Sequence, residues 1–176
     1  NKLCEEFHVV IVDSLKSVGG ISYVNPNVVF LNYDIGDNSL YKELDKYKFD
    51  AIYHLAAQSG GEPAYDDTKF DILTNSYGTC LLVKYCFEKG IKRFIYTSTV
   101  AVYGSSTEKA FSENDKIKPD SIYGISKYSG ELYIQQYLNN SSTKFTIFRV
   151  FNTYGPGENL NYAKKGMLSI YASYIW

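Results

Sequence analysis

Apolar runs of strand length alternate along the chain with segments of helical length, and each run ends in polar or turn residues. Several of the runs are rich in Val, Ile, Phe and Tyr and carry few charges, which is typical of strands buried on both faces of a parallel sheet. The predicted strands are His8–Asp13, Val28–Tyr33, Ala51–Ala56, Arg93–Thr99 and Phe145–Phe151.

Three segments between these runs have the length and pattern of helices. They are Leu40–Tyr47, Asp66–Glu88 and Ile122–Leu138, and Gly90 is expected to end the second. Strands that alternate with helices in this way predict an α/β domain with a doubly wound, Rossmann-like parallel sheet. No internal repeat or low-complexity tract interrupts the pattern.

Composition and charge exclude several classes of function. A net charge of −1 gives no electrostatic case for binding nucleic acid or an anionic membrane. No apolar run approaches the roughly 20 residues of a spanning helix, and nothing marks export. The three cysteines are interpreted as core fillers in a reducing, cytoplasmic compartment, and no metal-ligand spacing is present. They are Cys4, Cys80 and Cys86.

The pattern Tyr-x-x-x-Lys carries candidate chemistry, because two side chains four residues apart share one face of a helix. A Lys ammonium beside a phenol favours the phenolate and lowers its pKa from about 10, which makes the tyrosine a better base. The chain contains this pattern three times: Tyr65/Lys69, Tyr85/Lys89 and Tyr123/Lys127.

The position of each copy in the predicted fold decides among the three. Ligands of an open α/β sheet bind outside the carboxyl ends of its strands, where the helices begin. Tyr85/Lys89 closes a helix just before a strand and therefore lies at the opposite edge. Tyr65/Lys69 precedes or opens its helix and is also explained as a solvated face.

Tyr123/Lys127 has the required position, because it opens a helix after Pro119 and Asp120. The preceding predicted strand ends in the hydroxyl triplet that closes with Thr99, whose side chain could bind the substrate oxygen that Tyr123 serves. We therefore predict that Thr99, Tyr123 and Lys127 form a catalytic set.

Four segments resemble, in order, successive landmarks of the extended short-chain dehydrogenase/reductases. In particular, the chain is similar to the NAD-dependent nucleotide-sugar epimerase/dehydratase family, with UDP-glucose 4-epimerase as its best-known type. Four matches in register are far more specific than any one of them. The segments are His54–Gln58, Tyr96–Gly104, Tyr123–Lys127 and Arg149–Gly157.

The resemblance implies roles for the matching residues. Tyr123 is the acid/base, Lys127 lowers its pKa and holds the nicotinamide ribose, and Thr99 orients the sugar hydroxyl. Asn152 matches an asparagine that contacts the nucleotide-sugar phosphates. The remaining cofactor-binding matches line the pyrophosphate and nicotinamide ribose or support that site: Ala56, Ala57, Gln58, Asn75 and Tyr96.

Carboxylates at two strand ends bear on the cofactor. Asp13 could accept hydrogen bonds from both hydroxyls of an adenosine ribose and repel a 2′-phosphate, which favours NAD over NADP. The alternatives are that Asp13 caps the following turn and that Lys16 nearby offsets its charge. Asp34 and Ile35 match an adenine contact, and for Asp34 a helix-cap role is also open. His54 lies inside an apolar strand, where a satisfied core histidine is favoured over a general base.

The reaction implied by the resemblance is NAD-dependent epimerisation of a nucleotide sugar through a 4-keto intermediate. The family's 4,6-dehydratases follow the catalytic threonine with Asp and Glu, whereas this chain has Val100 and Ala101, which cannot perform acid/base elimination. A 4-epimerase acting on a UDP-hexose or UDP-N-acetylhexosamine is therefore predicted. A nucleotide-sugar decarboxylase, a keto-sugar reductase and, from another class, a non-catalytic nucleotide-binding remnant remain alternatives.

The two ends of the sequence suggest a fragment. Asn1–Phe7 is interpreted as the last turns of a helix, without the strand and glycine-rich turn that should precede it. Residues 1–154 are expected to form the NAD-binding domain without its first, central strand, and residues 155–176 to begin the substrate-binding region. We expect this polypeptide alone to be inactive, because it lacks the helix N-terminus that holds the pyrophosphate.

The resemblance also bears on assembly and pathway. It implies a homodimer of the full-length protein through the predicted helices Asp66–Glu88 and Ile122–Leu138. Gly157–Tyr171 resembles epimerases of surface-polysaccharide pathways.

Overall fold

Two parallel sheets form the centre of the fold in the part of the chain that the structure describes. The computed structural model describes residues 3–16, 24–105, 110–153 and 155. The strands are β1 (Val10–Val12), β2 (Val29–Leu31), β3 (Ala51–His54), β4 (Arg93–Thr99) and β5 (Lys144–Val150). β1 pairs with β2, and the second sheet has the order β3–β4–β5. The predicted α/β fold with a parallel sheet is confirmed, and β4 has the predicted bounds.

The remaining strands differ from the prediction at their ends. β1, β2 and β3 are each shorter than the apolar run that predicted them: β1 and β2 at both ends, and β3 at its carboxyl end. β5 begins and ends one residue earlier than predicted, since Lys144 pairs with Arg93 at the start of β4. The register continues to Thr99 opposite Val150, so β4 and β5 end together.

The two sheets share one hydrophobic core without pairing with each other. Phe94 of the second sheet belongs to the buried core cluster, and the partly buried Val12, Leu31 and Ile52 pack against that cluster. β1 pairs only with β2 and β3 only with β4 among the described strands, so each has one edge with no strand partner there.

The helices differ from the prediction most clearly between β3 and β4. A single helix Asp66–Glu88 was expected there, but Asp67 adopts φ −136° and ψ 74° and interrupts it. The Asp67 carboxylate accepts a hydrogen bond from the Phe70 backbone N–H at 2.9 Å, so that a new helix starts. The segment consists of α3 (Gly61–Asp66), α4 (Thr68–Asp71), a π-helical segment (Ile72–Gly78) and α5 (Thr79–Lys89).

The other helices follow their capping residues. α1 covers Leu3–Glu6, and α2 covers Asn38–Leu44 instead of the predicted Leu40–Tyr47, because the Asp37 side chain caps the Ser39 N–H at 2.8 Å. Gly90 ends α5 in the left-handed conformation at φ 62°, as predicted. Cys80 and Cys86 both lie in α5, with Cys86 buried in the core and neither in a disulfide.

The start of α6 (Ile122–Leu138) fixes the geometry of the predicted catalytic set, and its bounds are those predicted. The Ser121 hydroxyl caps the helix by accepting a hydrogen bond from the Gly124 N–H at 3.1 Å. A Cβ on Gly124 would lie 2.6 Å from the Ala101 carbonyl oxygen, so glycine is required for this close approach. The first turn of α6 therefore packs against the 3₁₀ turn Val100–Tyr103 that follows β4.

Candidate active site

Thr99 and Tyr123 lie together at the carboxyl edge of the three-stranded sheet. Thr99 is the last residue of β4, and its hydroxyl oxygen accepts a hydrogen bond from the Ala101 N–H at 3.2 Å. Tyr123 lies in the first turn of α6, where burial raises the pKa of its phenol and the Thr99 hydroxyl acts in the opposite direction. The structure thus brings the predicted acid/base and its hydroxyl partner into contact.

Lys127 lies one turn further along α6 and is almost entirely buried, with 2% of its surface exposed. Its ammonium nitrogen is 4.4 Å from the centroid of the Tyr96 ring. Burial lowers the pKa of Lys127 to about 8, and the carboxylates of Asp71 and Glu131 oppose this effect. A buried cation at this place is consistent with a functional lysine.

The effect of Lys127 on the pKa of Tyr123 stays a prediction. Burial raises the pKa of Tyr123, and the hydrogen bond with the Thr99 hydroxyl lowers it. The Lys127 ammonium itself lies over the Tyr96 ring.

Tyr96 contacts Lys127 through both its hydroxyl and its ring. Its side chain is completely buried, and its hydroxyl donates a hydrogen bond to the Lys127 carbonyl oxygen at 3.1 Å. Burial raises the pKa of this phenol well above its usual value. The supporting position that the sequence assigned to Tyr96 is therefore a contact with Lys127 in this structure, since the ring has no exposed surface for a ligand.

Asn75, in the π-helical segment, connects the loop after β3 to α6. Its amide oxygen accepts from the Gln58 N–H at 3.0 Å, and its nitrogen donates to the Gln58 carbonyl oxygen at 2.9 Å. The same nitrogen contacts the Asp71 carboxylate at 2.9 Å and the Ser126 hydroxyl at 3.2 Å. Sequence reasoning missed Asp71, whose position four residues before Asn75 is the only signal for it.

The loop after β3 carries three further predicted cofactor residues. Ala56 and Ala57 are partly buried, and Gln58 is buried with its backbone fixed by Asn75. The Gln58 side-chain oxygen is buried and has no hydrogen-bond partner within the described ranges. An unpaired buried acceptor at a strand end is costly unless a ligand donor reaches it.

Asp13 and Asp34 follow the ends of β1 and β2. Asp13 is exposed, and its carboxylate accepts a hydrogen bond from the Leu15 N–H at 2.7 Å, so it does cap the following turn. Asp34 accepts from the Gly36 N–H at 2.9 Å and pairs with Lys16 at 2.8 Å. Burial acts to raise the pKa of Asp34, but these contacts hold it below its ordinary value.

The helix-cap alternative for Asp34 is wrong, because Asp37 is the residue that caps α2. Ile35 belongs to the hydrophobic core and packs closely on Gly78, where an added Cβ would lie 2.6 Å from an Ile35 side-chain carbon. A contact of Ile35 with adenine would therefore come from its backbone. Asn152 is exposed in the loop after β5. Gly157–Tyr171, which carried the pathway resemblance, lies outside the described residues.

His54 is the satisfied core histidine that the sequence favoured. It is buried at the end of β3, and its Nε2 atom lies 2.8 Å from the Thr79 hydroxyl. Burial, assisted by the charge of Lys127, lowers the pKa of His54 to about 3. The ring is therefore neutral at physiological pH and is not a general base.

This histidine predicts a specific loss of stability in acid. Its pKa is about 3 when folded and about 6.5 when unfolded, so its contribution is complete above pH 6.5 and is lost as the pH falls toward 3. Between pH 6.5 and 3 we expect the free energy of unfolding of the full-length protein to fall by up to roughly 1.4 kcal/mol per pH unit because of His54. Denaturant unfolding at pH 7, 5 and 4 should show a smaller acid loss in His54→Gln, and equal losses in both proteins would contradict the assignment.

The other two Tyr-x-x-x-Lys copies lie elsewhere. Tyr85/Lys89 ends α5 as predicted, with the Lys89 nitrogen 5.6 Å from the Tyr85 ring centroid and 2.7 Å from the Asp45 carboxylate. Tyr65 belongs to α3 and Lys69 to α4, so the two do not share one helix. Of the three copies, Tyr123/Lys127 is the one that adjoins a strand-end hydroxyl in the manner predicted.

Comparison with known proteins gives the family context. A family model described as the NAD dependent epimerase/dehydratase family matches residues 3–175. The human dTDP-D-glucose 4,6-dehydratase is 35% identical over 144 residues, which are 81% of this chain and 41% of that protein.

Two solved structures are similar throughout. The UDP-glucose 4-epimerase of Thermotoga maritima with UDP-glucose has a TM-score of 0.89 and 30% identity, covering 97% of this chain and 56% of that one. The UDP-glucose 4-epimerase of Thermus thermophilus in complex with NAD has a TM-score of 0.86 and 25% identity, covering 97% and 54%. The chain thus spans about half the length of the proteins it matches.

The strand-end residues fit an NAD molecule in chemical terms. NAD is the cofactor of the matched family. Asp13 presents a carboxylate at the end of β1, the Gln58 oxygen lies unpaired in the loop after β3, and Lys127 supplies a buried cation behind β4. A ribose hydroxyl is the kind of donor that the Gln58 oxygen lacks. Among the described residues, no helix has the length and apolar character to cross a membrane.

Proposed function

We propose, because this chain belongs to the NAD-dependent epimerase/dehydratase family, that the full-length protein epimerises a nucleotide sugar at C4. The substrate class is a UDP-hexose or a UDP-N-acetylhexosamine. One observation carries the proposal: Tyr123 and Thr99 lie together at the carboxyl edge of the sheet, and the turn that follows Thr99 begins with the apolar residues Val100 and Ala101.

Tyr123 acts on the sugar hydroxyl in this proposal. Its phenolate accepts the proton of the C4 hydroxyl, and the Thr99 hydroxyl orients that oxygen. NAD, when bound, supplies the redox chemistry at C4. The proton returns from Tyr123 to the oxygen when the sugar is restored in the inverted configuration. The proposal assigns the buried Lys127 ammonium to binding of the nicotinamide ribose.

Val100 and Ala101 support a 4-epimerase over a dehydratase. Elimination of water needs an acid and a base at the substrate, and neither a valine nor an alanine side chain can carry a proton. Both residues are partly exposed in the 3₁₀ turn directly after Thr99. The human relative is a dehydratase, so the two activities have to be separated by their products.

The test is the product formed by the full-length enzyme from UDP-glucose and from UDP-N-acetylglucosamine. We expect the 4-epimer from at least one of them, identified by nuclear magnetic resonance of the isolated product. A 4-keto-6-deoxy sugar would contradict the proposal. A protein that binds NAD and converts no nucleotide sugar would favour the non-catalytic alternative.

Asp13 supports NAD as the preferred form of the cofactor. Its exposed carboxylate at the end of β1 would repel a 2′-phosphate. The Lys16 cation does not offset this charge freely, because it is paired with Asp34 and lies 5.4 Å from the Phe70 ring centroid. In the proposed assignment, Asp13 receives the ribose hydroxyls, and Asn152 contacts the substrate phosphates.

We also propose that the full-length protein is a cytoplasmic homodimer. The π-helical segment, α5 and α6 expose apolar side chains that a second copy would cover. Light scattering of the purified full-length protein should give twice the mass of one chain, and a monomer would contradict this. The exposed side chains are Ile72, Leu73, Tyr77, Phe87, Ile125 and Leu132.

A further inference from the structure

A buried ion pair lies two turns along α6 from Tyr123. Glu131 has no exposed surface, and its carboxylate accepts hydrogen bonds from Arg149 on β5, at 3.1 Å from Nε and 2.8 Å from Nη2. The Ser98 hydroxyl on β4 donates a further short hydrogen bond to Glu131. Three elements therefore meet at one carboxylate.

Arg149 extends this network to the turn after β4. Its Nη1 atom donates to the Tyr103 hydroxyl at 2.8 Å and to the Glu113 carbonyl oxygen at 3.2 Å. The guanidinium also lies over the Tyr103 ring, 5.0 Å from its centroid. Phe111 also stacks on Tyr103, with ring centroids 5.0 Å apart and an angle of 12° between the planes. Tyr103 is thus held through both its ring and its hydroxyl.

The Glu131–Arg149 network contacts residues on both sides of Thr99 in the sequence. Ser98 immediately precedes Thr99, and Tyr103 ends the turn that immediately follows it. Both sides of Thr99 are therefore tied to the same ion pair. Glu131 lies eight residues after Tyr123 on α6, so it shares the helix face of that residue. The ion pair connects the strand end that carries Thr99 to the helix that carries Tyr123.

We propose that Glu131 and Arg149 are positioning residues that hold the Thr99 hydroxyl against the Tyr123 phenol. This inference rests on the proposed epimerase function, because it assigns the pair a role in that reaction. A buried ion pair commonly adds little net stability compared with apolar residues of the same size. A planar, forked guanidinium, in contrast, fixes the relative direction of the groups it binds.

The test uses two conservative variants of the full-length enzyme, Arg149→Lys and Tyr103→Phe, each alone and combined with Thr99→Val. Arg149→Lys keeps the charge and loses the fork, whereas Tyr103→Phe keeps the ring and loses the hydroxyl. We expect Arg149→Lys to lower kcat about 10- to 100-fold, the effect of one charge-assisted hydrogen bond, and Tyr103→Phe to lower it less. KM and NAD affinity should change less than about threefold, since neither residue binds ligand.

The combined variants distinguish positioning from a general structural role. If the pair acts through Thr99, the double variant Arg149→Lys/Thr99→Val should have a kcat less than about threefold below that of Thr99→Val alone. Equal losses in both backgrounds would overturn the proposal, and so would an unchanged kcat in Arg149→Lys. Lys92→Met is the matched control, because the Lys92–Asp50 pair is exposed and precedes β4 at the opposite edge. Its kcat should equal that of the unchanged enzyme.

A full-length protein that converts no nucleotide sugar would contradict the proposed function but not the positioning role. A second measurement tests the positioning role in that case. The pKa of Tyr123 can be followed by carbon magnetic resonance of ring-labelled tyrosine in the full-length protein. The Thr99 hydroxyl lowers this pKa, so Thr99→Val should raise it. Arg149→Lys should also raise the Tyr123 pKa, although this substitution keeps the positive charge at position 149. An unchanged Tyr123 pKa in Arg149→Lys would overturn the positioning role.

Discussion

Tyr123→Phe lowers the turnover of the full-length enzyme about 10²- to 10⁴-fold, the usual contribution of a general acid–base group. The variant loses one oxygen atom and retains the ring, so α6 and its contacts should persist. Because the phenol hydroxyl contacts Thr99 and is the proposed acid/base for the sugar hydroxyl, the loss should appear in kcat with NAD still bound. Steady-state kinetics and the NAD content of the purified variant measure both parts of this result.

Tyr85→Phe is the matched control for this experiment. Tyr85 belongs to the same Tyr-x-x-x-Lys pattern and is also buried beside its lysine, but it lies near the C-terminal end of α5. Its turnover should equal that of the unchanged enzyme. Full activity in Tyr123→Phe would show that the acid/base assignment is wrong, and an equal loss in both variants would point to a general effect on the fold.

Lys127→Met lowers turnover about 10²- to 10³-fold, the effect of removing one electrostatic contact from a preorganised site. The substitution keeps most of the buried volume over Tyr96 and removes the only charge on that side chain. NAD affinity should fall as well, because Lys127 is the proposed ligand of the nicotinamide ribose. Kinetics and calorimetric titration with NAD measure the two losses separately.

The pH dependence of the activity tests the role of the positive charge on Lys127. Burial lowers the pKa of Lys127 to about 8, so its positive charge is present below pH 8 and is lost above it. The unchanged enzyme should lose activity above about pH 8, and this alkaline loss should be absent from the variant. Lys89→Met is the control, since Lys89 is exposed and pairs with Asp45. An identical alkaline loss in Lys127→Met would contradict the assignment.

The sequence pattern predicted the elements whose ends are marked by strong local signals. α6 has the predicted bounds because Ser121 caps it, and Gly90 ends α5 because glycine readily adopts the left-handed conformation. The break at Asp67 was missed, because the predicted helix begins one residue earlier, at Asp66, and includes only that last residue of α3. The π-helical segment packs against α6, and no local sequence pattern records that contact.

The candidate site was predictable where each residue could be assigned to a strand end or a helix start. Thr99, Tyr123 and Lys127 follow from that rule alone, and the structure brings Thr99 and Tyr123 into contact. The orientation of the Lys127 ammonium toward the Tyr96 ring depends on burial in three dimensions, and no local pattern in the sequence records it. Glu131 had one signal, its position four residues after Lys127, but its partner Arg149 is 18 residues further along the chain.

The measurement that tests the central claim most directly follows the hydrogen atom at C4 of the sugar. The full-length enzyme is supplied with UDP-glucose or UDP-N-acetylglucosamine that carries deuterium at C4, and the product is analysed by nuclear magnetic resonance and mass spectrometry. An epimerase that removes and returns this hydrogen within one site gives the 4-epimer with deuterium retained at C4. A product with solvent hydrogen at C4, or a 4-keto-6-deoxy sugar with solvent hydrogen at C5, would contradict the account.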